Sequence, residues 1–337
     1  MLTTTRRAAL LLSALLALLG SLLAAPAQAA APSYVALGDS YSSGTGTRSY
    51  IADGTSCQRS TLAYPSLIAA ASGYALNFRA CSGATVPDVT NTQLSALTSA
   101  TNYVTISVGG NDAGFADVLT ECAKPGWMSS CDARINTAQA FINNTLPSRL
   151  NTLYASIRSR APYAKVVVVG YPRIFNGEDC NAMTWFSPAE ETRLNQTADL
   201  LNSRLGAAAS AAGFSFGNPT SRFVGHAVCD DAEWINGLSN PVSESYHPKG
   251  VGHSSGYTPT VSPLLTGTSV AVSARVRADA SSGASQQASL QRTYADADRS
   301  IRPKSFVAPD LSSPQARRAA RRAGIDLDRF IARSQRR

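Results

Sequence analysis

The amino-acid sequence predicts one α/β domain: a three-layer α/β/α sandwich with a central, mostly parallel, five-stranded sheet. Three observations predict it. Between Ser33 and about Pro263, five short apolar runs alternate with helix-compatible segments, the pattern of strands and crossover helices. Three of those runs are almost continuously apolar, as parallel strands covered on both faces must be. The same region is near neutral, with 14 Lys/Arg against 16 Asp/Glu, whereas Leu264–Arg337 carries 14 against 6. A globular body of 32–263 and a basic extension of 264–337 are therefore expected.

Ahead of the first strand, residues 1–30 read as a secretory signal peptide. Arg6-Arg7 gives a positive start, Ala8–Leu23 is Leu/Ala-rich, and Ala27-Gln28-Ala29 supplies small residues at a cleavage site. The competing reading, an uncleaved membrane anchor, fits less well: Ser13, Gly20 and Ser21 interrupt the run, and a span needs about 20 apolar residues. No cysteine stands near the cleavage site to carry a lipid. The mature chain is expected to be secreted and extracellular.

The strands are expected at Ser33–Leu37, Tyr74–Phe78, Tyr103–Val108, Lys165–Val169 and Phe214–Phe216. Helices fall between them at Pro65–Ala71, Ala113–Thr120, Arg134–Ser159 (kinked or split at Pro147) and Pro188–Ala212. Ser187 and Pro188 suit a cap and first turn.

All six cysteines follow the signal region. In an oxidising compartment an even count points to three disulfides. Zinc is the competing reading, but no C-x-x-C pair occurs and the chain has three histidines. Six cysteines allow 15 connectivities; sequential pairing, Cys57-Cys81, Cys122-Cys131 and Cys180-Cys229, is the simplest.

Chemistry concentrates in the loops that follow the strands, where open α/β sheets collect ligands. The first strand runs into Gly38-Asp39-Ser40, the second into Cys81-Ser82-Gly83-Ala84, and the third into Gly109-Gly110-Asn111-Asp112. Ser40 is a candidate nucleophile. The oxygen that becomes negative when an ester acylates serine needs donors fixed beforehand, and the amides of Ser40 and Gly83 with the Asn111 side chain offer three. Taken singly, each glycine or asparagine is equally a turn residue. A serine needs a base. Of three histidines, His247 lies in Glu244-Ser245-Tyr246-His247-Pro248, in the last loop before the final core helix. His226, near Cys229, reads as structural or pocket-lining, and His253 as a helix-face residue.

Gly-Asp-Ser near the mature N-terminus, a loop glycine, Gly-x-Asn-Asp and a late His-Pro, in that order, resemble the four blocks of the SGNH or GDSL hydrolase family. The secreted actinobacterial lipases and esterases of that family are the nearest likeness, over roughly Ser33–Pro263. The resemblance implies a flavodoxin-like fold and hydrolysis of lipid or acyl esters without metal or organic cofactor. It makes Ser40 the nucleophile, His247 the general base and acid, and Ser40, Gly83 and Asn111 the oxyanion donors, and it supports the sequential disulfides. Many members carry Asp three residues before the histidine, where this chain has Glu244. The actinobacterial subgroup can use a main-chain carbonyl two residues before it instead, here that of Ser245, which is the preferred orienting group. The surroundings of Ser40 lack the full pair of framing glycines of the α/β-hydrolase elbow.

Substrate class rests on Gly170–Phe175 and its continuation at Met183–Phe186, whose apolar and aromatic side chains either line an acyl groove or pack over the Cys180 loop. A lipase or esterase is expected, with a phospholipase A-type acyl hydrolase, a carbohydrate acetylesterase, or a non-catalytic surface-binding protein as alternatives. A monomer is expected. From Leu264 to about Leu311 the extension shows little hydrophobic pattern, which argues against a packed core. Gln315–Arg337 is helix-compatible and arginine-rich, suited to an anionic cell surface or to a solvated role. Nucleic acid is not an expected partner of an exported protein.

Overall fold

The computed structural model of the protein describes residues 30–334; the expected signal segment lies outside them except for its last residue. Five strands, β1 (Ser33–Gly38), β2 (Ala75–Phe78), β3 (Tyr103–Ser107), β4 (Lys165–Val169) and β5 (Ser215–Gly217), form one sheet in the order β2-β1-β3-β4-β5. Every pairing is parallel, with Val35 opposite both Asn77 and Val104 and Val168 opposite Phe216. The central strands β1, β3 and β4 are buried along nearly their whole length, which is why they read as continuous apolar runs.

Helices cover both faces. On one, α4 (Cys131–Asn144), α5 (Leu146–Arg160) and α6 (Pro188–Ala211) pack together; on the other, α2 (Tyr64–Ser72) meets α7 (Thr258–Thr266). The expected long helix around Pro147 is split at Thr145, because proline has no N–H to continue the ladder. At α6, Ser187 accepts the Glu190 amide and the Glu190 carboxylate accepts the Ser187 amide, a capping box worth about 1 kcal/mol. The sulfurs of Cys57 and Cys81, Cys122 and Cys131, and Cys180 and Cys229 are bonded.

The expectation that 264–311 lacks a packed core fails. α7 runs through the expected boundary, with Leu265 fully buried. Beyond it α8 (Ala274–Ser282) lies against α2 and α9 (Ala284–Arg292) against the β2 edge, followed by the short α10 (Ala295–Asp298). The attachment is largely polar, which hydrophobic patterning does not register. Asp298, with no exposure, sits between the guanidiniums of Arg59 (2.6 Å) and Arg79 (2.7 Å), both equally buried. Gln291 accepts from Arg79 (2.8 Å), and Gln287 donates to the Leu76 carbonyl (2.7 Å). Further on, α11 (Pro314–Ala323) buries Ala316, Ala319 and Ala320, and Phe330 of α12 (Leu327–Ser334) packs on Trp127 and Trp185.

The winding of the sheet reverses between β1 and β3. In open α/β sheets the crevice at such a switch point, outside the carboxyl ends of the strands, is where ligands bind. The loops carrying Ser40 and Asn111 leave those two ends.

Candidate active site

β1 ends at Gly38 with φ of +119°, and a Cβ there would overlap the Ser107 carbonyl. Glycine lets the backbone close on β3, where the Asp39 amide donates to that carbonyl (2.9 Å). The buried Gln93 side chain clamps Gly38 from the other side, accepting its N–H (2.7 Å) and donating to its carbonyl (2.9 Å). Asp39 caps the short helix α1 (Ser40–Ser43) by accepting the Tyr41 amide, and also accepts from Tyr171 Oη (2.5 Å) and Ser107 Oγ (3.2 Å). Burial pushes its pKa up to about 7, against the pull of those donors. The carboxyl group is thus part of the frame that presents Ser40.

Ser40 Oγ stands 2.9 Å from His247 Nε2, and His247 Nδ1 stands 2.9 Å from the Ser245 carbonyl oxygen. A carbonyl only accepts, so Nδ1 carries the proton and the Nε2 lone pair faces the serine hydroxyl. The intervening residue, Tyr246, has φ of +62°, an αL conformation that bulky residues rarely adopt. It folds the chain so that Ser245 O meets the ring two residues on. That turn is pinned by Tyr41 Oη donating to the Tyr246 carbonyl (2.7 Å) and by amide bonds between Tyr246, His247 and Asn236. Burial lowers the His247 pKa to about 4, outweighing the opposing effects of the Ser245 carbonyl and the Glu244 charge. The imidazole is therefore neutral at neutral pH.

Glu244 is also buried, but its carboxylate is turned away to other partners: Oε2 accepts Arg48 Nε (2.8 Å) and Oε1 accepts Tyr50 Oη (2.7 Å). His226 bonds to the Ala232 carbonyl and stacks on Trp234 at 3.6 Å. His253, expected on a helix face, lies in the helical segment Gly252–Tyr257 that leads into α7, fully buried, and accepts the Tyr64 amide. Neither touches Ser40.

Gly83 has φ of +84°. Asn111 Nδ2 donates to the Ala84 carbonyl (3.0 Å), and Asp112 Oδ2 accepts the Val86 amide (2.9 Å), so the loops after β2 and β3 are tied together. Among the described residues neither the Ser40 nor the Gly83 amide has a protein acceptor. Both sit with Asn111 on the cleft that also holds His247.

From Ser40 and Asn111 a nearly wholly apolar cavity runs between α3 (Phe115–Cys122), α4 and α6, walled by Phe115, Leu119, Ile142, Ile174, Leu194 and Leu201. Of the two segments proposed as an acyl groove, the first lines this cavity through Tyr171, Pro172, Ile174 and Phe175. The second does not: Met183 is exposed, Phe186 packs on Phe175 and Tyr246, and Trp185 meets Phe330. Sequence reasoning missed Gln93, Tyr41, Asn236, the bond from Tyr171 to Asp39 and the αL turn at Tyr246. None carries a motif, since each acts by one side chain or backbone angle at a point that only the fold brings near.

The GDSL-like lipase/acylhydrolase family matches residues 36–254. Lipase 1 of Streptomyces coelicolor is 46% identical over 256 residues, 75% of this chain and 94% of that protein. A lipase of Streptomyces rimosus matches to the same extent. Among solved structures, phospholipase A1 from Streptomyces albidoflavus NA297 is 44% identical with a TM-score of 0.66, covering 70% of this chain and 100% of its own. An extracellular lipase from Streptomyces rimosus is 46% identical with the same TM-score, covering 69% and 100%.

Proposed function

The chain belongs to the GDSL-like lipase/acylhydrolase family and is a carboxylic ester hydrolase acting on lipid or other esters, and from that premise we propose that it is a secreted lipase whose chemistry is carried by a Ser40–His247 dyad. The observation that carries the reading is the continuous chain from Ser40 Oγ through both nitrogens of His247 to the Ser245 carbonyl.

In the proposed reaction His247 Nε2 takes the hydroxyl proton as Ser40 Oγ attacks the ester carbonyl. The carbonyl oxygen gains the negative charge, and the amides of Ser40 and Gly83 with one N–H of Asn111 Nδ2 donate to it; the other N–H keeps its bond to Ala84. Each such donor is worth about 10²–10³ in kcat. The Ser245 carbonyl holds the ring in the productive tautomer and favours the imidazolium as it forms. His247 then returns the proton to the departing alcohol oxygen. Water, deprotonated by the same Nε2, releases the acid from acyl-Ser40. Ser40, Gly83, Asn111 and His247 take these roles as the matching residues of the family blocks.

The apolar cavity beside Ser40 suits an acyl chain, which supports lipid over acetylated-sugar substrates. A second reading, phospholipase A-type cleavage, is favoured by the likeness to a phospholipase A1. Three disulfides and the expected signal segment support export. Profiling the purified enzyme on p-nitrophenyl esters of rising chain length, phospholipids and acetylated sugars, with Ser40→Ala as blank, tests the reading. Medium or long chains should be cleaved, and Ala198→Trp, which fills the apolar cavity from α6, should shift the preference to short ones. Activity confined to acetyl esters would overturn it.

A further inference from the structure

Residues 302–305 run exposed across the catalytic cleft between two buried anchors, Ile301 and Phe306. The Phe306 ring packs edge-on against Tyr246 with centroids 5.0 Å apart, beside the turn that sets His247. Lys304 Nζ pairs with Asp117 at 2.9 Å, and the Val307 amide donates to Thr120 Oγ1 (3.0 Å), fixing the segment to α3. Upstream, Asp298 locks the extension between Arg59 and Arg79. Pro303 lies so close over Gly83 that a Cβ on that glycine would overlap its ring.

The strap stands on one defined side of the site. The departing alcohol oxygen has to receive its proton from His247, so the alcohol occupies the flank that His247 faces. Two cavities flank Ser40. The apolar one does not include His247. The other is lined by Ser40, His247, Gly83 and Ser245 and closed by Pro303, Lys304, Ser305 and Phe306. Beyond the strap a third, polar hollow shares Gly83, Asn111, Phe115, Ala116 and Lys304 with it, so the strap divides what would otherwise be one trough. The family match ends at residue 254, and the phospholipase A1 chain is covered in full by 70% of this one. The strap thus lies outside the shared part.

We propose that Pro303–Phe306, contributed by the C-terminal extension, form the wall of the leaving-group subsite and set specificity for the alcohol half of the ester, holding back bulky glycerophospholipid leaving groups in favour of small alcohols. The inference rests on the Ser40–His247 assignment above.

The test compares two soluble substrates with the same acyl chain, methyl hexanoate and dihexanoyl phosphatidylcholine, both kept below micelle formation. In the full chain, Phe306→Ala frees one anchor while Asp298 and Ile301 hold the other. It should raise the ratio of kcat/KM for the phospholipid to that for the methyl ester by about fivefold or more, whatever common change the loosened Tyr246 turn brings to both. Lys304→Ala, which removes only a surface pair, should shift the ratio the same way by a smaller factor and serves if Phe306→Ala does not fold. An unchanged ratio, or equal changes on both esters, overturns the strap as a specificity wall. Adding Ser40→Ala to either variant separates the two claims: surviving hydrolysis refutes the dyad, whereas a dead double variant together with an unmoved ratio in the single variant refutes only the strap.

Discussion

Replacing Glu244 by Gln should cost little activity, because its carboxylate is committed to Arg48 and Tyr50 and His247 Nδ1 faces Ser245 instead. The Arg48 side chain is 59% exposed and that of Glu244 2%, so the pair is open to water on one side only and is placed at the upper end of the range for exposed pairs, about 1 kcal/mol. Losing the nearby negative charge removes one of the effects that oppose burial, so the His247 pKa moves lower still and the base weakens slightly. If the whole ~1 kcal/mol reached the transition state, kcat would fall about fivefold. His247→Ala removes the base itself and should cost on the order of 10⁴-fold or more. The assay is kcat on a soluble p-nitrophenyl ester at pH 7, with thermal unfolding run on each variant. A loss of 100-fold or more in Glu244→Gln, with the unfolding temperature unchanged, would refute the carbonyl-oriented dyad and make the carboxylate the orienting group.

Two further outcomes follow from the same geometry. The folded pKa of His247 is depressed, so its neutral, base-competent form persists to low pH; the acidic limb that His247 sets on kcat/KM should fall through about pH 4, and a limb at or above pH 6.5 that persists in Asp39→Asn, and so does not belong to the Asp39 carboxyl near 7, would contradict the buried, neutral imidazole. Asp298→Asn leaves two buried guanidiniums without their shared charge, a loss of about 3–5 kcal/mol for a broken buried pair and roughly 5–8 °C in Tm for a chain of this size. An unchanged Tm in differential scanning calorimetry would mean that the extension is not latched there.

The sheet was legible in the sequence because parallel strands buried on both faces leave a simple trace, as at Lys165–Val169, where the observed strand coincides with the expected one. Ser40, Gly83 and Asn111 could be grouped from the sequence because parallel strands deliver the loops that follow them to one sheet edge, whereas their roles, and that of His247, came from the order of four blocks that resemble the GDSL family. The rest was hidden for physical reasons. The αL turn at Tyr246 is a backbone angle that its side chain does not advertise. Gln93, Tyr41 and Tyr171 act through side-chain hydrogen bonds over 55, 205 and 132 residues of separation. The extension misled because it is held by Asp298, Gln287 and Gln291 rather than by apolar periodicity, and an aspartate between two distant arginines leaves no local signature.

The central claim, that Ser40 becomes acylated and His247 drives its turnover, is tested most directly by mass spectrometry of the enzyme quenched during hydrolysis of a p-nitrophenyl ester. The account predicts one acyl adduct, mapped to the peptide containing Ser40, absent from Ser40→Ala and formed far more slowly in His247→Ala. Undiminished turnover in Ser40→Ala, or an acyl group mapped to any other residue, would contradict it.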